Sequence, residues 1–446
     1  MSPSGTVTPV PPPRAAVPPQ RTGLVLSGGG ARGAYEAGVL SYLRHELEPE
    51  LGRPLPIQVV AGTSVGAINA CHMATHAHVM TAQAGLLIER WKSLHVQEVL
   101  NFGVPDVLRM AREVLGRKNP DASHHGGLVN PRALEHVVMK GTHWPSLGRN
   151  IRAGHLEGLA VSATEVATGR TTVFIQQRGG GLPSWTPEPN IHVVSARIGP
   201  RHALASGAIP LLFPPVQIGR RLFVDGSLRM NLPLSPVLRL GTTRVIVISL
   251  RHLSAKAEPQ AAAATEHELD HEHEHDAEVE EAIYATAPFL VGKTLNALML
   301  DSTDQDLGRL RAINAMLEAG TRAYGPSFQK VMSEAVPRTG PTPFRYVRNI
   351  LVRPSQDIGK LAADYARSPA FARRARGLAS MLLKRMVPGE GGESDLLSYL
   401  MFDGGFAEML IDLGRADARA QRAEWLRFWS DAPECAAEEA QWPVAA

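Results

Sequence analysis

Three short strings in this chain carry residue types that can do chemistry together. "GTSVG" (62–66) sets Ser64 between Gly62 and Gly66, "GGGARG" (28–33) clusters Gly28, Gly29, Gly30 and Gly33 around Arg32, and "DGS" (225–227) presents Asp225 before Gly226 and Ser227. A serine hydroxyl becomes a nucleophile only beside a base, and a carbonyl under attack needs donors for its developing oxyanion. Glycines leave backbone N–H groups unshielded at a helix start, where they attract negative charge, and Arg32 adds a fixed cation. Asp225 is the candidate base. An aspartate of ordinary pKa is a poor base for a serine, so burial or hydrogen bonding must tune it.

Each string needs an element to hold it. "GLVLS" (23–27) reads as a buried strand entering the glycines, and Tyr35, Val39, Leu43 and Leu47 then mark one face of a helix. "IQVVA" (57–61) is a second strand and "AINACHMATHA" a second helix, so Ser64 falls at a strand-to-helix turn, the nucleophile-elbow arrangement. "LEGLAVSAT", "TTVFI", "RLFVD" and "RVIVISL" are further strands, and "RLFVD" delivers Asp225 to the C-terminal edge of a parallel sheet, where such sheets bind ligands. The alternation predicts an α/β fold around a largely parallel sheet. "RYVRNILV" (345–352) is a strand able to rejoin that sheet, and the chain beyond it reads as mainly helical. Met73, Met80, Leu86 and Leu87 are candidates for an acyl pocket, although their spacing equally suits plain core.

Taken together, and in this order, the motifs resemble the patatin-like phospholipases of bacterial type. That family pairs a Gly-Gly-Gly-x-Arg-Gly loop with a Gly-x-Ser-x-Gly elbow and an Asp-Gly-Gly or Asp-Gly-Ala base motif. "ALASGAIPLLFPPV" (203–216) is similar to the stretch preceding the family's base, and "LVRPSQDIG" and "SDLLSYLMFDGGFAEMLIDLGRADA" look like tails of bacterial members. The resemblance spans about residues 23–250 and departs at Ser227, where the family has Gly or Ala. It implies a three-layer α/β/α fold and a Ser-Asp dyad, without histidine or cofactor, that hydrolyses acyl esters of lipids. Carried over by position, Ser64 is the nucleophile and Asp225 the base. Gly28, Gly29, Gly30, Arg32 and Gly33 form the oxyanion loop, Gly62 and Gly66 shape the elbow, and Gly226 and Ser227 complete the base motif.

Composition sets the wider expectations. The 446 residues are 44% apolar and 20% charged with net charge +3, and nine of the 43 acidic residues but no Lys or Arg fall within 266–281. The remaining body is therefore basic, which suits anionic surfaces such as phospholipid headgroups. No aromatic-and-basic interleaving points to nucleic acid. Two cysteines make no disulfide framework, and no apolar run has spanning length. The expected location is cytoplasmic with peripheral membrane contact. The expected organisation is a proline-rich disordered leader (1–22), the patatin-like domain (23–252), an acidic His-rich linker (253–281) and a mainly helical C-terminal region (282–446).

Four rival readings use the same residues. Gly28, Gly30 and Gly33 fit a dinucleotide-binding Gly-x-Gly-x-x-Gly, but Glu48 and Glu50, near the required acidic position, do not end the second strand. His252 would complete a Ser-Asp-His triad in α/β-hydrolase order, yet Ser64 follows only two strands. "HELDH" with His267 and His271 matches a zinc-hydrolase pattern, in surroundings too polar to hold two imidazoles rigid; with His273 and His275 it suits adventitious metal, and no catalytic metal is expected. A catalytically inactive lipid-binding protein of the same fold is the fourth, and retention of Ser64, Asp225 and the loop glycines speaks against it.

Overall fold

The computed structural model describes residues 20–100, 131–139, 142–182, 190–210, 212–253, 303–335, 344–387 and 394–430. Residues 1–19 of the leader, nearly all of the acidic linker and the "HELDH" string lie outside them. Nine strands among the described residues form one sheet: β1 (Thr22–Leu26), β2 (Val59–Thr63), β3 (Gly158–Glu165), β4 (Thr171–Gln177), β5 (Ile191–Ser195), β6 (Val216–Ile218), β7 (Arg221–Asp225), β8 (Arg244–Ile248) and β9 (Arg348–Val352). The spatial order is β5-β4-β3-β2-β1-β8-β9, with β7 on β3 and β6 on β7. From β3 through β9 along this order every pairing is parallel, whereas β4 and β7 run antiparallel to β3. The central strands are buried on both faces, as parallel strands must be. Leu24, Leu26, Val60, Ile246 and Ile248 face one hydrophobic core, while Val25, Val59, Ala61, Val245 and Val247 face a second. Helices cover both faces. This is the three-layer α/β/α arrangement expected from the sequence, with a mostly parallel sheet.

One local feature departs from expectation in a way that bears on the site. The helix Ala34–Tyr42 does not present a single apolar face; every one of its residues is buried. It lies between the sheet and the long helix Gly404–Ala420, and the two backbones approach closely at Gly38 and Gly414. A Cβ at Gly38 would collide with the Ile411 carbonyl, and one at Gly414 with the Tyr35 carbonyl. The C-terminal helices thus pack as an outer layer over the first helix, and β9 extends the sheet beside β8. The helix Thr303–Tyr324 falls within the region expected to be mainly helical, and only a narrow stripe containing Leu307, Leu310, Asn314 and Leu317 is buried. No helix among the described residues is long and apolar enough to cross a membrane.

Candidate active site

Ser64 and Asp225 meet because two strands end head to head on one edge of β3. β2 runs parallel to β3 and stops at Thr63, opposite Ser162. From the opposite direction β7 occupies the same edge and stops at Asp225, opposite Ala163. The candidate base therefore arrives on an antiparallel strand, not at a parallel edge as its sequence suggested. Ala163 also pairs with Thr172 of β4 on its other side, so the junction is fixed within the sheet. Ser64 Oγ donates to Asp225 Oδ2 at 2.6 Å.

The elbow is strained, and its neighbours impose the strain. Ser64 has φ 55° and ψ −126°, the single non-glycine residue with positive φ among those described. A side chain at Gly62 would strike the Gly66 carbonyl, and one at Gly66 would crowd the Leu26 and Ser27 carbonyls. The Ser64 amide donates to Ser206 Oγ at 2.8 Å, and that hydroxyl donates to the Ser162 carbonyl at 2.6 Å. Ser206 lies within "ALASGAIPLLFPPV", so its segment was singled out in sequence, though not its role.

Asp225 is fully buried. Its carboxylate accepts from Ser64 and from the Ser227 amide at 2.8 Å, while its own amide donates to the Ala208 carbonyl and its carbonyl accepts from Thr164 Oγ1. Burial raises its pKa to about 6, against the lowering effect of the Ser64 and Ser227 hydrogen bonds. Gly226 is required by packing, since a Cβ there would collide with the Ser162 carbonyl. Ser227 is accommodated: it is buried, and its hydroxyl fills the space left by the missing side chain of Gly28.

That raised pKa has a consequence for stability. Asp225 titrates near 3.9 when unfolded, so its favourable contribution is complete below that pH and is lost as pH rises through about 6. Asp225→Asn, which is neutral throughout, is therefore expected to raise the melting temperature at pH 7.5, by roughly 1–3 kcal/mol of stability. Differential scanning calorimetry should show that gap narrowing as pH falls toward 5.

The glycine turn sits against both groups. Gly28 is committed to the scaffold, because its amide is shared between Asn231 Oδ1 at 2.9 Å and the Asn231 carbonyl at 3.3 Å. Gly29 caps the short 3-10 turn Gly30–Gly33, and Gly30 has φ 57°. A 3-10 turn leaves its first N–H groups without internal partners, so the amides of Gly29 and Gly30 stand at its open end. Gly33 serves packing against the elbow helix Val65–Thr75, its missing Cβ making room for Val65. Asn69 of that helix donates to the Gly33 carbonyl and to Glu36, and burial holds the Glu36 carboxyl well above the usual carboxylate range. Arg32 points away from solvent and donates to Asp395 and Ser398. Asp395 and Ser398 lie within the tail string and Asn69 within the second helix string quoted above, but none of these three, nor Asn231, was assigned a role in sequence, because no local pattern distinguishes them from ordinary polar residues.

Beside Ser64 opens a pocket of about 570 Å³ including its mouth. Gly30 and Ser64 line it together with the polar Asn69 and Arg90, and Ile68, Trp91, Leu94, Val99, Ile209 and Phe213 are among its apolar walls. None of the four candidate acyl-pocket residues lines it. Met73 and Leu87 are in the core, Met80 is half-buried and Leu86 is exposed. His252 is not between Ser64 and Asp225; its Nδ1 bonds instead to the Pro354 carbonyl at 3.0 Å. Glu50 and Glu48 fall in the short helix Glu48–Leu51, where Glu48 binds Arg44.

Residues 24–238 match the family model of the patatin-like phospholipases. A cGAMP-activated phospholipase of Pseudomonas aeruginosa is 30% identical over 212 residues, which is 47% of this chain and 53% of that protein. The chain thus matches about half the length of that relative. Among solved structures, human GIVD cytosolic phospholipase A2 with methyl gamma-linolenyl fluorophosphonate is 14% identical with a TM-score of 0.36, covering 92% of this chain and 58% of its own. VipD from Legionella pneumophila is 14% identical with a TM-score of 0.28, covering 88% and 67%.

Proposed function

Residues 24–238 are a patatin-like phospholipase domain, and from that premise we propose that this chain hydrolyses acyl esters of phospholipids or related lipids through a Ser64–Asp225 dyad. The observation that carries the reading is the 2.6 Å hydrogen bond from Ser64 Oγ to a fully buried Asp225 whose pKa is lifted to about 6. A carboxylate of that pKa is still mainly ionised at neutral pH and is a stronger base than an exposed one. The apolar pocket adjoining Ser64 suits an acyl chain, and the basic body suits a phospholipid surface, with peripheral membrane contact.

The two half-reactions follow from this geometry. Asp225 takes the Ser64 proton as Oγ bonds to the ester carbonyl carbon, and the resulting oxyanion turns toward the Gly29 and Gly30 amides. Collapse breaks the bond to the leaving alkoxide, which receives the proton from Asp225. A water then gives its proton to Asp225 as it attacks the acyl-enzyme, and Ser64 leaves reprotonated. No histidine and no cofactor enters.

A fluorophosphonate probe tests nucleophile and activity together. Mass spectrometry should find the phosphonyl adduct on Ser64, with labelling rate and ester hydrolysis both rising through an apparent pKa of about 6 as Asp225 ionises. An unlabelled Ser64 in a folded protein that turns over no ester would favour the inactive lipid-binding reading. An adduct lost in His252→Ala would favour the triad.

A further inference from the structure

The glycine turn is tied at its ends, at Gly28 by Asn231 and at Gly33 by Asn69, but between them it has few side chains of its own. Of its residues 28–33, four are glycines and one is alanine, so Arg32 is the only side chain long enough to anchor it. That anchor lies in the helix Asp395–Leu400, 363 residues away in sequence from Arg32 at Asp395. Arg32 Nη2 donates to Asp395 Oδ1 at 2.8 Å and Nε donates to Ser398 Oγ at 2.8 Å, while Ser398 Oγ donates to the Asp395 carbonyl at 2.6 Å. The Tyr399 ring covers the guanidinium at 4.2 Å, and the Tyr399 carbonyl abuts Gly30 so closely that a Cβ would collide with it. Arg32 and Asp395 are 4% and 7% exposed, so the pair is shielded from water and salt, and removing one partner leaves the other charge buried.

We propose that Asp395 is a positioning residue for ester hydrolysis: acting through Arg32, and aided by Ser398 and Tyr399, it fixes the Gly29 and Gly30 amides opposite Ser64. This rests on reading those two amides as the oxyanion donors. The helix that carries Asp395 lies far beyond the 24–238 match, so the catalytic unit extends into the C-terminal segment. The same pairing neutralises Arg32, which removes it as a ligand for a substrate phosphate. Its contribution is geometry: displacing oriented groups by about 1 Å costs on the order of 100-fold in rate.

The test compares full-length Asp395→Ala and Asp395→Asn with Asn314→Ala. The last removes a different buried contact, between Asn314 and the Val347 backbone on the other face of the sheet. Steady-state kinetics on a short-chain nitrophenyl ester are read beside hydrogen exchange of peptides covering residues 26–36. Asp395→Ala is expected to lower kcat about 10- to 100-fold with KM within about threefold, and to speed exchange in that peptide. Arg32→Ala should match it, and the double variant should be no worse than either single. Asn314→Ala should lower the melting temperature without either change. If Asp395→Ala fails to fold, Asp395→Asn, which keeps the shape and loses the charge, carries the same comparison. Unchanged exchange and unchanged kcat would overturn the proposal, as would a loss of kcat that merely follows melting temperature in Asn314→Ala as well. Faster exchange with full kcat would refute it differently: Asp395 would anchor a turn that is not the oxyanion hole, which is the failure of the reading beneath it.

Discussion

Ser64→Ala is expected to lower kcat on a short-chain nitrophenyl ester by roughly 10⁴-fold or more while leaving the melting temperature within a few degrees. The hydroxyl donates to Asp225 and on the proposed mechanism is also the attacking atom, so its loss would remove the acyl-enzyme route altogether. Asp225→Asn should fall as far, since an amide cannot take the proton, and should do so in a protein that is more stable than wild type. That opposition, activity lost while stability rises, separates a base held at an energetic cost from a residue that merely supports the fold. Since the two groups act as one unit, the double variant should be little worse than either single. Full activity in Ser64→Ala would end the assignment. Full activity in Asp225→Asn would move the search for a base to another residue, and the triad reading would return only if His252→Ala were then inactive.

The geometry of the candidate site was legible in sequence to the extent that it is local. A strand running into "GTSVG" already implies a tight elbow, because Gly62 and Gly66 have no room for side chains once the chain turns there. Asp225 was legible as a strand end, but not the direction of its strand. β7 is the second arm of a short hairpin, turning at Gly219 (φ 60°), whose first arm β6 has only three residues, too few for its alternation to stand out. The even burial of Ala34–Tyr42 was hidden for a different reason: its outward face is covered by a helix 370 or so residues later, and sequence periodicity reports faces only against solvent. Asn231 and Asp395 were unreadable because they act across the fold. What marks them is a backbone amide and a guanidinium that only the assembled chain brings within reach.

Gly30→Ala is expected to lower kcat by about 100- to 1000-fold, the usual result of losing one oxyanion donor, with KM changed far less. Two constraints meet at this position. Its φ of 57° lies where only glycine is at ease, and the added Cβ would collide with the Tyr399 carbonyl, which is backbone and cannot rotate aside. The turn must therefore shift away from the helix Asp395–Leu400, carrying its open amides off the oxyanion position. Gly29→Ala makes the instructive comparison. Gly29 has φ 166°, which is extended backbone, and its added Cβ would press mainly on the Leu250 side chain at 2.6 Å. That contact can relax by side-chain movement, so Gly29→Ala should be the milder variant. A nucleotide-binding turn predicts something else entirely: calorimetry would detect tight binding of NAD or ATP to wild type, Gly30→Ala would abolish it, and ester hydrolysis would stand. The expected result is the reverse, because Gly30 and Ser64 line the same pocket, whose walls are mainly apolar, and on the proposed mechanism the charge that develops there is that of an ester under attack.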